Sequence, residues 1–313
     1  MSNFLVRRGL ATLPVLLVVA VIVFLLLRLT PGDPAAAIAG DAATPEQIAS
    51  IREQLGLNQS LLIQFFHWSG QVLRGDLGYS FFYKMGVAEL IGQRLEPTVS
   101  VALVTIVLTV LIAVPLGVLA AWRRGSVLDR VVMGASVLGF SVPVFVAGYL
   151  LIWLFAMQLG LFPSQGYRRL ADGVLPWLHH LVLPCLALAV MYAALIARVT
   201  RAAVSEALTE DYVRTARAKG IAEVRMLLRH ALANAAVPIV TIVGLSIAGL
   251  IGGVVVTETV FAIPGLGQLT VDAVLSRDYP LIQGITLFFS AVYVVVNLLV
   301  DLSYLLLDPR IRY

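Results

Sequence analysis

The sequence predicts an all-α membrane protein with six transmembrane helices and both termini cytoplasmic, and three observations predict it. The 313 residues are 60% hydrophobic and only 13% charged, whereas soluble domains carry about a quarter charged residues. Six uncharged runs, at 10–27, 97–121, 131–167, 173–197, 231–257 and 279–300, reach the about 17–25 residues that cross a hydrocarbon core. Of the 22 lysines and arginines, 14 would fall on one side of the membrane and 8 on the other. The richer side is cytoplasmic by the positive-inside rule.

The first run follows Arg7 and Arg8. Ala37-Ile38-Ala39 faintly suggests a signal-peptidase site. The apolar run, however, exceeds the about 7–15 residues of a signal core. Pro31, Asp33 and Pro34 also separate it from that site. Residues 1–30 are therefore expected to be a cytoplasmic N-terminus and a retained first span. Residues 31–97 form an extracytoplasmic helical insert. Within it, Thr44-Pro45-Glu46-Gln47 is a capped helix start with proline at the first helical position; Ile48, Ile51 and Leu55 share a face, and Gly56 ends the helix. A second amphipathic stretch covers 61–73, RGDLGYS at 74–80 reads as a turn, and a third stretch at 87–95 leads to Pro97. These helices are too short to span and are expected at the outer membrane surface.

Residues 98–313 form the core. Its spans are expected at about 98–121, 131–157, 182–204, 235–257 and 282–304, as helices of about 20 residues or more. Gly160, Pro163 and Gly166 mark the exit loop of the third span. Pro184 reads as a first-turn proline of the fourth, whose helical pattern continues to about Ala207 and is longer than a bilayer is thick. Pro14 reads as ordinary irregularity, while Pro115, Pro143 and Pro238 lie deeper, where prolines kink helices.

Between the fourth and fifth spans lies a polar loop at 205–234, which contains TEDYVRTARAKG at 209–220. Thr209 reads as an N-cap, Glu210 and Asp211 complement the first turn, Arg217 and Lys219 the last, and Gly220 supplies a left-handed stop. The pattern is a short helix held off the membrane on an overlong span.

Arg214-Thr215-Ala216 followed by Gly220 resembles the EAA loop of ABC importer permeases, the element that docks into a cleft on the ATPase. DYVRTARAKG with RHALANA downstream is similar to the form found in the dipeptide/oligopeptide/nickel branch. Arg214 stands where many relatives outside that branch have Glu, and Ala233 where many have a closing proline, which here comes at Pro238. RLTPGDPA at 28–35, TVFAIPGLGQLTVDAVLSRDYP after Thr257-Glu258, and the terminal NLLVDLSYLLLDPRIRY resemble the same permeases, so the likeness covers nearly the whole chain. It implies a type I ABC importer-like permease of the bacterial cytoplasmic (inner) membrane, the first-permease subunit for dipeptides, oligopeptides or glutathione. The implied partners are a second homologous permease subunit, two cytoplasmic ATPase subunits holding ATP and Mg, and an extracytoplasmic substrate-binding protein. Asp211, Tyr212, Arg214, Thr215, Ala216, Arg217, Ala218, Lys219 and Gly220 become the residues that couple ATPase movement to alternating access.

The chain carries no chemistry of its own in this reading. A P-loop needs Gly-Lys followed by Ser or Thr, and Lys84 and Lys219, the only lysines, do not follow glycine. His179 and His180 are adjacent and point apart on a helix, no cysteine cluster exists, and no metal or nucleic-acid site is expected. Cys185, the single cysteine, forbids an intrachain disulfide. Four residues are candidates for the translocation path or its gate. Asn297 and Asp301 lie on a polar stripe with Tyr304 and Asp308, and Asp301 would be costly in lipid. Glu258 ends the fifth span, where an interfacial carboxylate and a gate are equally compatible with its position. Ser141 precedes Pro143. The rival readings are an ion-coupled secondary transporter with Asp301 as relay, and an intramembrane hydrolase using Ser141, which would need a base in reach.

Overall fold

The structure, a computed structural model, describes residues 2–29, 35, 36, 43–54, 56–80 and 82–307; the side chains of 2–11, 26–29, 51, 54 and 305–307 also lie outside that description. Most of the RLTPGDPA motif, Asp308, Arg310 and Arg312, and the side chains of Arg7, Arg8, Ile51 and Leu55 therefore fall outside the described residues.

The first half of the chain runs α1 (Ser2–Leu29), α2 (Pro45–Gln54), α3 (Leu61–Leu73), β1 (Tyr79–Ser80), β2 (Met85–Gly86), α4 (Val87–Trp122), α5 (Val127–Ser141) and α6 (Val144–Leu151). Helix α6 continues as a wide π-type stretch, Ile152–Gln158. After a single 3-10 turn (Leu170–Asp172) come α7 (Val174–Ala207), α8 (Asp211–Ala218) and α9 (Glu223–Met226), the last followed by a π-type turn (Leu227–Ala231) and Leu232–Asn234. The chain closes with α10 (Ala236–Val260), α11 (Leu266–Leu275) and α12 (Tyr279–Leu307).

Among the described residues, α4, α7, α10 and α12 are long and apolar enough to cross a membrane, and α5 with α6 makes a fifth candidate. The third run breaks at Pro143, one of the three deep prolines where a kink was expected. It is bent by 103° between Ser141 and Val144. Pro143 explains the break, since it restricts Val142 before it to extended backbone, observed at ψ 121°. Pro115 lies inside the continuous α4.

Three proline or boundary expectations change. Helix α4 does not stop at Pro97, because the stretch at 87–95 and the second apolar run are one 36-residue helix. Pro184 lies well inside α7, which starts at Val174 and not at the expected 182. Pro238 sits in the first turn of α10, where its missing N–H costs nothing and no kink results.

By contacts the chain forms two compact units, Met1–Glu96 with Gln268–Val295, and Pro97–Gly267 with Val296–Tyr313. In the first, Thr44 and Gln47 close the expected capping box, with Thr44 N–H donating to Gln47 Oε1 at 2.9 Å and Gln47 N–H to Thr44 Oγ1 at 3.3 Å. Gly56, at φ +64°, ends α2. The hairpin pairs Tyr79 with Gly86 and Ser80 with Met85. Its Ser80 hydroxyl donates to the Asp278 carboxylate, and Gln283 Nε2 at the start of α12 donates to the Val23 carbonyl of α1 at 2.8 Å.

The second unit is built around α7. About 61% of its most apolar window is buried, against 33% for α4 and α10. Leu181, Leu183, Cys185, Leu188 and Tyr192 of α7 meet Val101 of α4, Ala147 of α6, and Leu250 and Val254 of α10. Close approach needs small residues, as is usual for helices packed in membranes. At Gly117 a Cβ would lie 2.6 Å from Thr200 Cβ and 2.7 Å from the Ala197 carbonyl oxygen, so α4 crosses α7 backbone to backbone there. Helix α7 has 34 residues. At about 1.5 Å per residue it is roughly 50 Å long, well beyond a hydrocarbon core of about 30 Å.

Candidate functional site

Helix α8 follows α7 after only three residues, 208–210. Thr209 is not its N-cap, contrary to the sequence pattern. The Thr209 hydroxyl turns back and donates to the Glu206 carbonyl at 2.7 Å, closing α7. Glu210 takes the N-cap position with extended backbone and without a side-chain cap. At the other end the expected stop is present. Gly220 has φ +74°, its N–H donates to the Arg217 carbonyl at 2.9 Å, and the Ile221 N–H reaches the Ala216 carbonyl at 3.2 Å. This pair of bonds is a Schellman motif, and Ile221 completes it by packing on the helix it terminates.

The helix has two distinct faces. Val213, Ala216 and Met226 form a small buried cluster with Leu208 and Ile221 around it. Asp211, Tyr212, Arg214, Thr215, Arg217, Ala218, Lys219 and Gly220 face solvent. Ala216 is thus the one member of the sequence-derived set that backs the helix instead of presenting itself. On the open face, Arg214 Nη1 lies 3.2 Å from Asp211 Oδ1 and the Thr215 hydroxyl donates to the Asp211 carbonyl at 3.0 Å. Burial and the Glu210 carboxylate push the Tyr212 phenol above its ordinary value, while hydrogen bonding with Asn234 pulls the other way.

What lies behind α8 connects it to the helices. Leu208 also touches a second cluster, where Val118 and Ala121 of α4 meet Val204 and Ala207 of α7, Leu227, Ala231, and Ala235 and Ile239 at the start of α10. Trp122 Nε1 donates to Glu223 Oε2 at 3.1 Å, joining the end of α4 to α9, and Arg123 lies over the Trp122 ring at 5.4 Å. Arg201 on α7 pairs with Asp129 on α5. The sequence reading missed these ties. Asp129 carried the one available signal, since it is the only acidic residue between Glu96 and Asp172 and stands among arginines.

The path candidates lie on three different helices, α5, α10 and α12. Glu258 is fully buried. Its Oε1 accepts from the Thr98 hydroxyl at 2.6 Å, and that hydroxyl accepts from the Leu266 N–H at 2.7 Å. The backbone carbonyl of Glu258 accepts from Ile263 N–H at 2.8 Å, and Gly265 presses against the carboxylate. Glu258 therefore staples the loop after α10 to the start of the apolar part of α4. Asn297 and Asp301 are half-buried on α12, and the stripe's Tyr304 hydroxyl donates to Thr241 Oγ1 of α10 at 3.0 Å. Ser141 is exposed, and its hydroxyl donates to the Val137 carbonyl of its own helix at 2.8 Å, just before the bend. His179 and His180 engage carbonyls of Leu161 and Pro176. Among the described residues no group of three His, Cys, Asp or Glu could hold a metal ion.

Apolar helices packed on one overlong post, with a short polar helix at its end, make this a membrane-spanning protein with a projecting polar element. The fold is similar to that of a chain in "Inward facing conformations of the MetNI methionine ABC transporter". The match has a TM-score of 0.59 at 19% identity and covers 70% of this chain and 96% of that one. Residues 113–313 match the family described as binding-protein-dependent transport system inner membrane component, and residues 1–102 match its N-terminal counterpart. The chain belongs to this family of ABC importer permeases and is a multi-pass inner-membrane protein. Over its full length it is 53% identical to a probable peptide ABC transporter permease protein of Sinorhizobium fredii, which it covers completely. Full-length matches at 44% identity include a putative peptide transport system permease of Brucella abortus and the glutathione transport system permease protein GsiC of Salmonella choleraesuis, each covered completely.

Proposed function

We propose that this chain forms half of the translocation path of an ATP-driven importer for short peptides, glutathione among them, delivered by an extracytoplasmic binding protein. The names of the relatives support the cargo class. In this reading the chain crosses the membrane six times, α1 and the bent α5–α6 pair included, with both termini and α8 in the cytoplasm. The insert at 31–97 lies outside and the core occupies 98–313. A second homologous permease completes the path. Two ATPase subunits hold ATP and Mg, and this chain has no ATP site. Asn297 and Asp301 on α12, and Ser141 at the bend, are the side chains offered to the path. Glu258 acts one step back, by holding the outer loop. The family and the relatives leave an ion-coupled carrier without support.

The observation that carries the coupling role is the division of α8 into a packed face and an open one. Val213 and Ala216 seat it on Met226, and Leu208 links that seat to the ends of α4, α7 and α10. A push on Tyr212, Thr215 or Arg217 is therefore delivered to three helices at once. ATP binding draws the ATPases together, α8 moves with its cleft, and the attached helices tilt to open the outer side.

The test uses the reconstituted complex with its ATPases and binding protein. Gly220→Val forces a β-branched residue to a positive φ, and Arg217→Glu reverses a charge on the open face without touching the packing. Both are expected to lower uptake and binding-protein-stimulated ATPase activity at least about tenfold, equivalent to about 1.4 kcal/mol of coupling. Full activity of both variants in both assays removes the coupling assignment.

A further inference from the structure

Helix α3 is inside out for a protein in water. It buries Gln64, whose Nε2 donates to the carbonyls of Leu57 and Gln59 at 3.3 and 2.8 Å. It exposes Leu62 at 71%, Phe66 at 70%, Leu73 at 88% and Ile63 at 49%. At about 100° per residue these four side chains fall within a sector of about 100°. His67 and Gln71, also exposed, lie together on the next sector round, and Phe65, Trp68 and Val72 turn toward the protein. The sequence LLIQFFHWSGQVL contains no Asp, Glu, Lys or Arg. Helix α2 in the same insert, PEQIASIREQ, has the opposite character, with Glu46, Arg52 and Glu53.

We infer that α3 lies in the outer leaflet's interface, with Leu62, Ile63, Phe66 and Leu73 in the acyl boundary and His67 and Gln71 toward water. Its position selects lipid as the occupant. Phe24 near the end of α1 meets Phe65 and Trp68 of α3 with ring centroids 5.2 and 5.6 Å apart. That contact fixes α3 beside α1, whose Leu13, Leu17, Val18 and Ile22 are also exposed. The apolar sector of α3 thus continues the apolar surface of a helix read above as the first span, and the inference rests on that reading. A helix with a polar edge beside a broad apolar face suits an interfacial position. The lack of any charge on it speaks against docking a soluble partner, whose interface would carry a polar and charged rim. The role is to set the height and tilt of the insert at the membrane surface.

The experiment is electron paramagnetic resonance of nitroxide labels in the reconstituted complex, in nanodiscs of phosphatidylethanolamine and phosphatidylglycerol. The sole cysteine, Cys185, is buried and is replaced by Ala. Single cysteines are placed at Leu62, Phe66, Leu73, His67, Gln71 and, as a control, Leu17. The expected result is collision with oxygen dominating at 62, 66 and 73, and with a water-borne nickel chelate at 67 and 71. Chelate dominance at 62, 66 and 73, or exclusion of both reagents there by a covering protein, overturns the inference while oxygen dominance at Leu17 leaves the span intact. Chelate dominance at Leu17 overturns the first span, and the inference with it.

Discussion

Arg201 grips both carboxylate oxygens of Asp129, with Nε 3.0 Å from Oδ1 and Nη2 2.8 Å from Oδ2. The same carboxylate accepts the Gly125 N–H at 2.9 Å, and Ser126 caps the Asp129 N–H at 3.3 Å. One side chain thereby fixes the loop before α5, starts the helix and ties it to α7, less than two turns from the point where α7 ends. The geometry is the bidentate fork that lysine cannot reproduce.

Arg201→Ala leaves a carboxylate at 6% exposure without its cation. It is expected to cost about 1.5–3 kcal/mol, in line with hydrogen bonds to charged groups, and Arg201→Lys is expected to recover only part. Thermal unfolding of the detergent-solubilised complex checks both. Equal stability of all three proteins would remove the pair from the architecture.

Met226 is fully buried beneath α8 in a cluster of its own. Met226→Ala should cost about 2–5 kcal/mol at that site, but the loss is local because the main core lies elsewhere. Hydrogen exchange at 211–221 is expected to accelerate while global unfolding stays within error. Uptake per ATP hydrolysed should fall with it. Acceleration spread evenly over α7 would contradict this.

Gly117 and Gly134 form a natural pair of controls. A side chain at Gly117 meets Thr200 and the α7 backbone, whereas one at Gly134 meets nothing within 4 Å. Gly117→Leu is expected to destabilise by at least about 1–3 kcal/mol through overpacking, and Gly134→Leu to be neutral or stabilising by up to about 1 kcal/mol. The fraction surviving heating in detergent ranks them.

Thr98 offers one hydroxyl to two elements. Thr98→Ala removes a bond from the buried Glu258 carboxylate and another from Leu266, for an expected loss of about 1–3 kcal/mol, and Thr98→Ser restores both. Gly265→Ala drives a methyl into the Glu258 carboxylate and should cost as much. Melting temperatures in detergent measure all three; an unaffected Thr98→Ala would mean that the loop is held by other bonds.

The local signals in the sequence were accurate where the physics is local. Thr44 to Gln47 closes its box, and Gly56 and Gly220 stop their helices, because caps and left-handed turns are decided within a few residues. The bounds of α3 at 61 and 73 were legible from its amphipathic period. Thr209 misled because a hydroxyl between two helices serves either one, and the chain direction does not say which. Hydropathy also could not see that α4 passes through Pro97, or how sharply the third run folds at Pro143, since both stretches are equally apolar whether straight or bent. At α8 the sequence marked the helix but not its orientation. That required Met226, ten residues beyond Ala216, to declare which side is inside. Pairs such as Asp129 with Arg201 and Thr98 with Glu258 are separated by 72 and 160 residues, and nothing in one sequence announces them.

Helix α7 holds the core of its unit on most of its surface and carries α8 on its tip. Under the coupling role proposed for α8, a change in α7 is therefore felt twice, as altered packing and as an altered response to the motor. The windows of α4 and α10 are each only 33% buried, so they share this double burden less.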